Sequence, residues 1–407
     1  MVGSIEYRPD RPKPYRARYW GLDGKQHRKS FASEKDANRW LTVQEAAKLD
    51  QTWTAPGRGK LRFKVWADQW WDAWKVGKAP NTLQTRESHL RLHLRPFFDP
   101  RMLDTISYQV VQRWQNELAA STGHDTVLAC RSILNQIMEA AKKDRRIPIN
   151  PVRLVEPPAA PVDPDVILGQ EHRRAYTPAE FAKLLAQTPA FYWDHFITQV
   201  GTGLRPGELL GLPPWRVYLD QARLDVADVR YEAGRFGSGY KNRPKTIASI
   251  RHVPIAPTVV KAVARKLDGC PPDGRVFYGP GGGHGIRSGN RSKLSTGNYR
   301  RVYRRAASRA GLTRLDWHGP HDLRHTFSTV LENAGIPARV IDELMGHSEG
   351  PRGRTATAEQ GSAVGRLYRH LTSEMLERVT AAVEAFLVAA LAAVPQPCPE
   401  QNKRKGR

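Results

Sequence analysis

The stretch HDLRHTFST, His321 to Thr329, decides how this chain is read. Two histidines four residues apart, with a carboxylate beside the first, almost spell the zinc-protease helix signature H-E-x-x-H. Arg324 lies between them, where such a helix has no use for a cation. Three readings are open from these residues: a metal site, a phosphate site, or a polar helix start.

Composition narrows the choice. The chain has 407 residues, with 64 Lys and Arg against 40 Asp and Glu and a formal net charge of +24. Such an excess points to a polyanionic partner, because phosphate neutralisation is what this field does best. The length suggests two or three domains. Cys130, Cys270 and Cys398 form no C-x-x-C pair and suggest neither a disulfide framework nor a thiolate zinc site. The first residues lack an apolar core like that of a signal peptide. The longest apolar run, Ala385 to Val394, is too short to span a bilayer. The expectation is a soluble, cytoplasmic, nucleoid-associated protein with no membrane partner.

Upstream, residues 1–58 read as a small strand-rich unit. PYRARYW (Pro14 to Trp20) alternates, Asp23-Gly24 is a hairpin-turn dipeptide, and QHRKSF offers a second strand. Ser33 and Asp36 cap a helix whose apolar side carries Ala37, Trp40 and Leu41, with Gln44 beyond. A three-stranded sheet with one helix is expected, a β-ribbon that lays Arg16, Arg18, Arg28 and Lys29 on DNA. Residues 61–156 read as a helical domain. One helix carries Phe63, Trp66, Ala67, Trp70 and Trp74; a second starts near Asn81, a third covers Tyr108 to Leu118, and a fourth runs from about Thr126 to Lys143. The tryptophans are expected in the core, with Arg86 and Arg91 among the cations facing DNA. A proline-rich linker over 157–172 separates this domain from the next, over 173–378, and residues 379–407 form a helix and basic tail.

Four stretches of the third domain carry chemistry. TGLRPGELLGL (Thr202 to Leu212) sets Arg205 between Gly203 and Pro206, a helix break that fixes the arginine, with Glu208 three residues on. KNRPKTIASIRHVPI (Lys241 to Ile255) reads as a basic hairpin with Lys245 near its turn. HDLRHTFST is the third, and LMGHS with Tyr368 in RLYRHLT the fourth. The glycine-rich GPGGGHGIRSG (Gly279 to Gly289) lacks a Gly-Lys-Ser/Thr ending and reads as a surface loop, not a phosphate loop.

Taken together, these stretches resemble the tyrosine recombinase family, the site-specific recombinases and phage-type integrases. By that resemblance Arg205, Lys245, His321, Arg324, His347 and the nucleophile Tyr368 form the active site in the family's order. Glu208 matches the acidic residue supporting the first arginine, and His325 supports the site. The helical region, down to its ending RRIPINPV, resembles the family's core-binding, SAM-like domain, and the first sixty residues its arm-binding domain. The implied fold is mostly α with small β-sheets (α+β), ending in a mixed α/β-hairpin catalytic domain. Twenty-one positions separate His347 from Tyr368, more than is usual in the family, and GPRGRTATAEQG between them reads as a flexible loop.

The resemblance answers the opening question. A zinc helix needs a Glu base and a third ligand; Asp322 is a methylene short and Arg324 would repel a metal. A phosphate site wants an arginine fork. The implied reaction is cleavage through a covalent 3′-phosphotyrosine, with the two arginines clamping the phosphate, the histidines donating to it and Lys245 protonating the leaving oxygen. It implies no cofactor and no metal. The implied partners are double-stranded DNA at core and arm sites, three further copies in a homotetramer, an excisionase and a host DNA-bending protein. The rival readings are a type IB-like topoisomerase and a catalytically silent DNA-binding regulator. For the apolar stripe beyond Ser373, docking on a neighbouring protomer is favoured over folding back.

Overall fold

The structure, a computed structural model, describes residues 3–50, 52–160, 175–241, 250–280, 293–312, 319–346 and 372–394. The chain divides into two compact units, Met1–Val162 and Asp163–Arg407.

In the first unit, strands β1 (Ser4–Tyr7), β2 (Tyr15–Trp20) and β3 (Gln26–Phe31) form an antiparallel sheet in sequence order. Gly24 takes φ 70°, as the turn between β2 and β3 demands. Helix α1 (Glu34–Leu49) starts at Ser33, whose side chain accepts the Asp36 N–H. The period-2 alternation of β2 buries Ala17 and Tyr19 against Ala37, Leu41 and Trp53. Tyr19 donates to Gln44 Oε1 at 3.0 Å and accepts from Trp53 Nε1 at 2.9 Å, so the hydroxyl and the indole N–H of this small core are both satisfied.

A second, separate core lies among α2 (Phe63–Trp74), α3 (Pro80–His89), α4 (Arg95–Phe98), α5 (Tyr108–Ser121) and α6 (His124–Lys143). Phe63, Trp66, Trp70, Leu94, Phe98, Trp114 and Ile137 are buried there, as the helical spacing predicts. Trp74 differs: it is half-buried and stacks on Trp70 with ring centroids 5.6 Å apart. Between α3 and α4 the backbone passes through a π-helical segment, Leu90–Leu94. Pro96 comes two residues after its end; it has no N–H to give and its ring crowds the preceding turn, which a wider π turn relieves.

The second unit begins with α7 (Pro178–Ala186), closed by the expected capping box between Thr177 and Glu180. Then come α8 (Trp193–Thr202), α9 (Pro206–Gly211), β4 (Val217–Tyr218), β5 (Arg223–Val226), β6 (Val229–Glu232), β7 (Ser238–Lys241) and β8 (Arg251–Pro254). Helices α10 (Pro257–Leu267), α11 (Thr296–Arg309), α12 (His321–Asn333), α13 (Ala338–Met345) and α14 (Ser373–Ala392) complete it. One apolar core joins α7, α8, the inner face of β5 and β8, and α10 to α14.

Two expectations are corrected here. Lys241 to Ile255 is not one hairpin: β7 pairs with β6, whereas β8 pairs with β5 in a separate sheet. The reason is burial. Leu224 faces Val253 and Val226 faces Arg251 across the β5–β8 ladder, an inward-facing set that the sparsely apolar β7, SGYK, cannot offer. The second concerns the C-terminal stripe. Val379, Val383, Leu387 and Ala390 of α14 are buried in their own unit's core, so the helix folds back and does not wait for a neighbour. The boundary expected between 378 and 379 falls inside α14. Phe386 lies against Phe181 of α7 at 6.0 Å, and Glu384 accepts from Thr258 N and Oγ1 at 2.9 and 2.8 Å.

Candidate active site

The helix break expected around Arg205 is present. α8 stops at Thr202 because Gly203 takes φ 63°, a left-handed conformation that costs a residue with a Cβ 1–3 kcal/mol in rough terms. Arg205 is extended, and Pro206 opens α9 at the position where a missing N–H costs nothing. Three residues on, Glu208 turns back: its carboxylate accepts the Arg205 backbone N–H at 2.9 Å and Arg205 Nη1 at 2.9 Å. The side chain of Glu208 is only 2% exposed, while that of Arg205 is 36% exposed.

Two more guanidiniums converge on this carboxylate. Arg251 of β8 reaches Glu208 with Nη2 at 2.9 Å and Nη1 at 3.3 Å, and Arg324 of α12 lies 3.9 Å from it. Burial alone would raise the Glu208 pKa, but the charge and hydrogen bonds of Arg251, then the backbone and charge of Arg205, hold it below the ordinary carboxylate value. Burial first, and Arg205 second, push Arg324 down to about 9, so it remains a cation at neutral pH. Three positive groups around one carboxylate leave an excess of positive charge in a poorly hydrated place.

The same three arginines close the end of α13. Arg251 Nε donates to the Leu344 carbonyl at 2.6 Å, Arg324 Nη2 to the Met345 carbonyl, and Arg205 Nη2 to the Gly346 carbonyl at 3.2 Å. These are orphan carbonyls at the negative end of a helix dipole, where cations are stabilising. Arg324 also donates to the Gly203 carbonyl at 2.6 Å. Both of its terminal nitrogens therefore bond backbone, and the expected fork toward phosphate is turned inward. Arg205, half-buried, is the most accessible arginine of the cluster.

His321 is the first residue of α12. It is solvent-exposed at its edge, yet enough protein surrounds it that desolvation, followed by the charges of Arg324, His325, Arg300 and Arg205, lowers its pKa below the ordinary histidine value. His325, one turn on, is exposed. Asp322 points the other way: it is buried and accepts the Tyr303 hydroxyl at 2.6 Å, and Tyr303 is bonded in turn to the Tyr176 hydroxyl. That carboxylate anchors α12 in the core. Among the described residues, no group of three or more His, Cys, Asp and Glu side chains could hold a metal ion.

Comparison with known proteins follows the same lines. The profile of the phage integrase family matches residues 179–352, and that of the phage integrase N-terminal SAM-like domain matches residues 62–119. The chain belongs to the phage integrase family. Tyrosine recombinase XerC of Methylobacterium sp. is 32% identical to it over 56% of this chain and 58% of that protein. The prophage ps2 probable integrase of Lactococcus lactis is 21% identical over 86% of this chain and 88% of that protein. The chain spans 41% of the length of the XerC-like recombinase of Caldanaerobacter subterraneus, at 28% identity over 38% of itself. The fold is shared with the Tn1549 transposon integrase in complex with transposon right end DNA (TM-score 0.54, 18% identity, 78% of this chain and 98% of that one). It is also shared with a lambda integrase tetramer bound to a Holliday junction (TM-score 0.53, 16% identity, 87% and 98%).

In this integrase-family chain the structure brings together Arg205, Glu208, His321 and Arg324. Lys245, His347 and Tyr368 lie outside the described residues, as do the insert before Tyr368 and nearly all of the glycine-rich loop. Arg251 is the residue that sequence reading missed, although a signal was there: in SIRHVPI it shares the inward alternation of Val253. Arg300 and its neighbours Arg301, Arg304 and Arg305 were also passed over; they are exposed on α11, whose Tyr299 and Tyr303 point inward.

The DNA-facing candidates separate on inspection. Arg16, Arg18 and Arg28 share the sheet face opposite α1, with Arg18 paired in register with Arg28. Lys29 pairs with the buried Ala17 and so belongs to the other face, its amine 5.3 Å from the centre of the Phe31 ring. Arg86 is half-buried over Trp74 and donates to Gln136 at 2.8 Å, which commits it to holding α3 on α6. Arg91 is exposed and 3.8 Å from Glu87. No helix among the described residues is long and apolar enough to cross a membrane.

Proposed function

We propose that this protein is a site-specific DNA recombinase that integrates a mobile element, and with a helper excises it, by cutting and rejoining strands through a 3′-phosphotyrosine. The observation that supports this best is the Glu208 cluster. Arg205 meets the scissile phosphate, Arg324 and Arg251 add positive charge behind it, and His321 donates at its edge. Tyr368 is the nucleophile. Its phenol, ordinarily of pKa about 10, loses its proton to a neighbouring base as its oxygen bonds to phosphorus. The 5′-oxygen leaves with a proton from Lys245, and one phosphodiester is exchanged for another, so the bond energy is retained for rejoining.

The remaining assignments follow the same reading. The arginine face of the N-terminal sheet grips arm DNA, α2 to α6 embrace the core site, and the working unit is a tetramer, because exchange between two duplexes needs four cuts. An excisionase and a DNA-bending protein are its expected helpers. The test is Tyr368→Phe on a nicked suicide duplex: DNA binding persists and denaturant-stable adducts vanish. Adducts that survive the substitution would assign the attack to another residue.

A further inference from the structure

We infer that Arg251 is a positioning residue for strand cleavage: it neutralises Glu208 and secures the end of α13, so that Arg205 stays aimed at the scissile phosphate. The inference rests on the recombinase reading above.

Arg251 cannot act by contact, because its side chain is 4% exposed. It sits on β8 at an inward position, opposite Val226, and the only way to bury a guanidinium there is to satisfy it. Glu208 does so through two bonds, at 2.9 and 3.3 Å, and the Leu344 carbonyl through a third at 2.6 Å. The consequence falls on Arg205. Glu208 already draws Arg205 Nη1 to 2.9 Å, and Arg324 stands 3.9 Å away. Without Arg251 the buried carboxylate has one cation fewer, and the attraction that remains pulls Arg205 and Arg324 toward it. With Arg251 in place, the carboxylate is held from one side while Arg205 remains 36% exposed.

The second consequence concerns the backbone. Leu344, Met345 and Gly346 each receive one arginine, and His347 is the next residue in the chain. Arg251 makes the first of these three bonds and is the member that reaches across from the β-sheet. It therefore holds the last turn of α13, which ends two residues before His347 in the sequence. Glu208 and the α13 terminus are thus set by one side chain, which explains why an arginine stands where β8 alternation calls for an apolar residue.

The experiment uses the full chain with Arg251→Gln and Arg251→Lys. The probe is a nicked suicide duplex carrying the site that the unaltered protein selects from a randomised duplex library by forming a denaturant-stable adduct. A second duplex is identical except that a methyl group replaces one non-bridging oxygen of the scissile phosphate. This removes the charge that Arg205 neutralises. Both variants are checked for a cooperative melt and for binding of the duplex. With the phosphodiester, Arg251→Gln slows adduct formation about 100-fold, and with the neutral duplex by less than about 10-fold, as loss of an aimed charge requires. Arg251→Lys keeps the charge but cannot serve Glu208 and Leu344 together, and it recovers about a tenth of the lost rate. Wild-type rates, or losses of equal size on both duplexes, overturn the inference, since a general packing defect does not distinguish the substrates. Should Arg251→Gln fail to fold, Arg251→Lys decides by the same inequality. If the unaltered protein forms no adduct with any duplex, the recombinase reading itself has failed, an outcome distinct from equal rates in the variants.

Discussion

Arg324 donates to the Gly203 carbonyl at 2.6 Å across 121 positions of sequence. The bond ties the start of α12 to the break between α8 and α9, and thereby brings His321 within the field of Arg205. Gly203 can present its carbonyl this way because it turns left-handed directly after α8.

Gly203→Ala tests that geometry. An added Cβ would stand 2.5 Å from Phe327 Cδ1, in a conformation with φ 63°. Strain and overlap together cost about 2–4 kcal/mol, which lowers the melting temperature by roughly 4–15 °C. A melting curve within a degree of the unaltered protein would remove Gly203 from its proposed role.

Glu208→Gln removes the carboxylate that three arginines share, and leaves their charges with the carbonyls of α13 and Gly203 in place of a full counter-charge. Stability at pH 7 falls by about 3–5 kcal/mol, measured by urea unfolding. The pH dependence has a definite sign. The folded-state pKa of Glu208 lies below its ordinary 4.5, so its contribution is complete above that value and is lost as pH falls through the folded pKa. The gap between the two proteins therefore stays constant from pH 8 to about 5 and narrows in more acidic solution. A gap that persists unchanged to pH 2.5 contradicts the assignment.

The two faces of the N-terminal sheet give a paired prediction. Replacing Arg16, Arg18 and Arg28 by Gln lowers the slope of log affinity against log salt by roughly 2–3 on a mixed-sequence duplex, because fewer counterions are released. Lys29→Gln, on the face that packs against α1, leaves the slope almost unchanged. Equal effects per charge from both faces would dismiss the arginine face as the DNA-binding surface.

Ending the chain at Thr372 removes α14. Val379, Val383 and Leu387 are each worth about 1.5–3 kcal/mol in the core, against a total stability of about 5–15 kcal/mol. The second unit should then lose its cooperative melt. A truncated protein that melts cooperatively at the original temperature would restore the reading in which this helix serves a neighbouring protomer.

The local features were legible because they are written at helical and strand spacing. The Thr177–Glu180 capping box, the Asp23-Gly24 turn and the tryptophan stripe of α2 each need only a few neighbouring residues. The same holds for Gly203-Leu204-Arg205-Pro206, where a glycine and a proline state in advance that a helix stops and another starts. Motif order then pointed to the family.

What sequence alone could not decide was which side chains would share a partner. Arg251 and Glu208 are 43 positions apart, and nothing local marks them as a pair. Two strands near Lys245 looked like one hairpin, but β7 closes a local hairpin with β6 and long-range pairing assigns β8 to β5. Helix α14 carried an apolar stripe that suited either its own domain or a neighbour; burial of Val383 and Leu387 beside α7 and α10 settled it. The sequence determined the residue types, the helix breaks and the family. Only the tertiary structure decided where each buried charge found its counter-charge, since desolvating a charge is tolerated only where the fold supplies a partner.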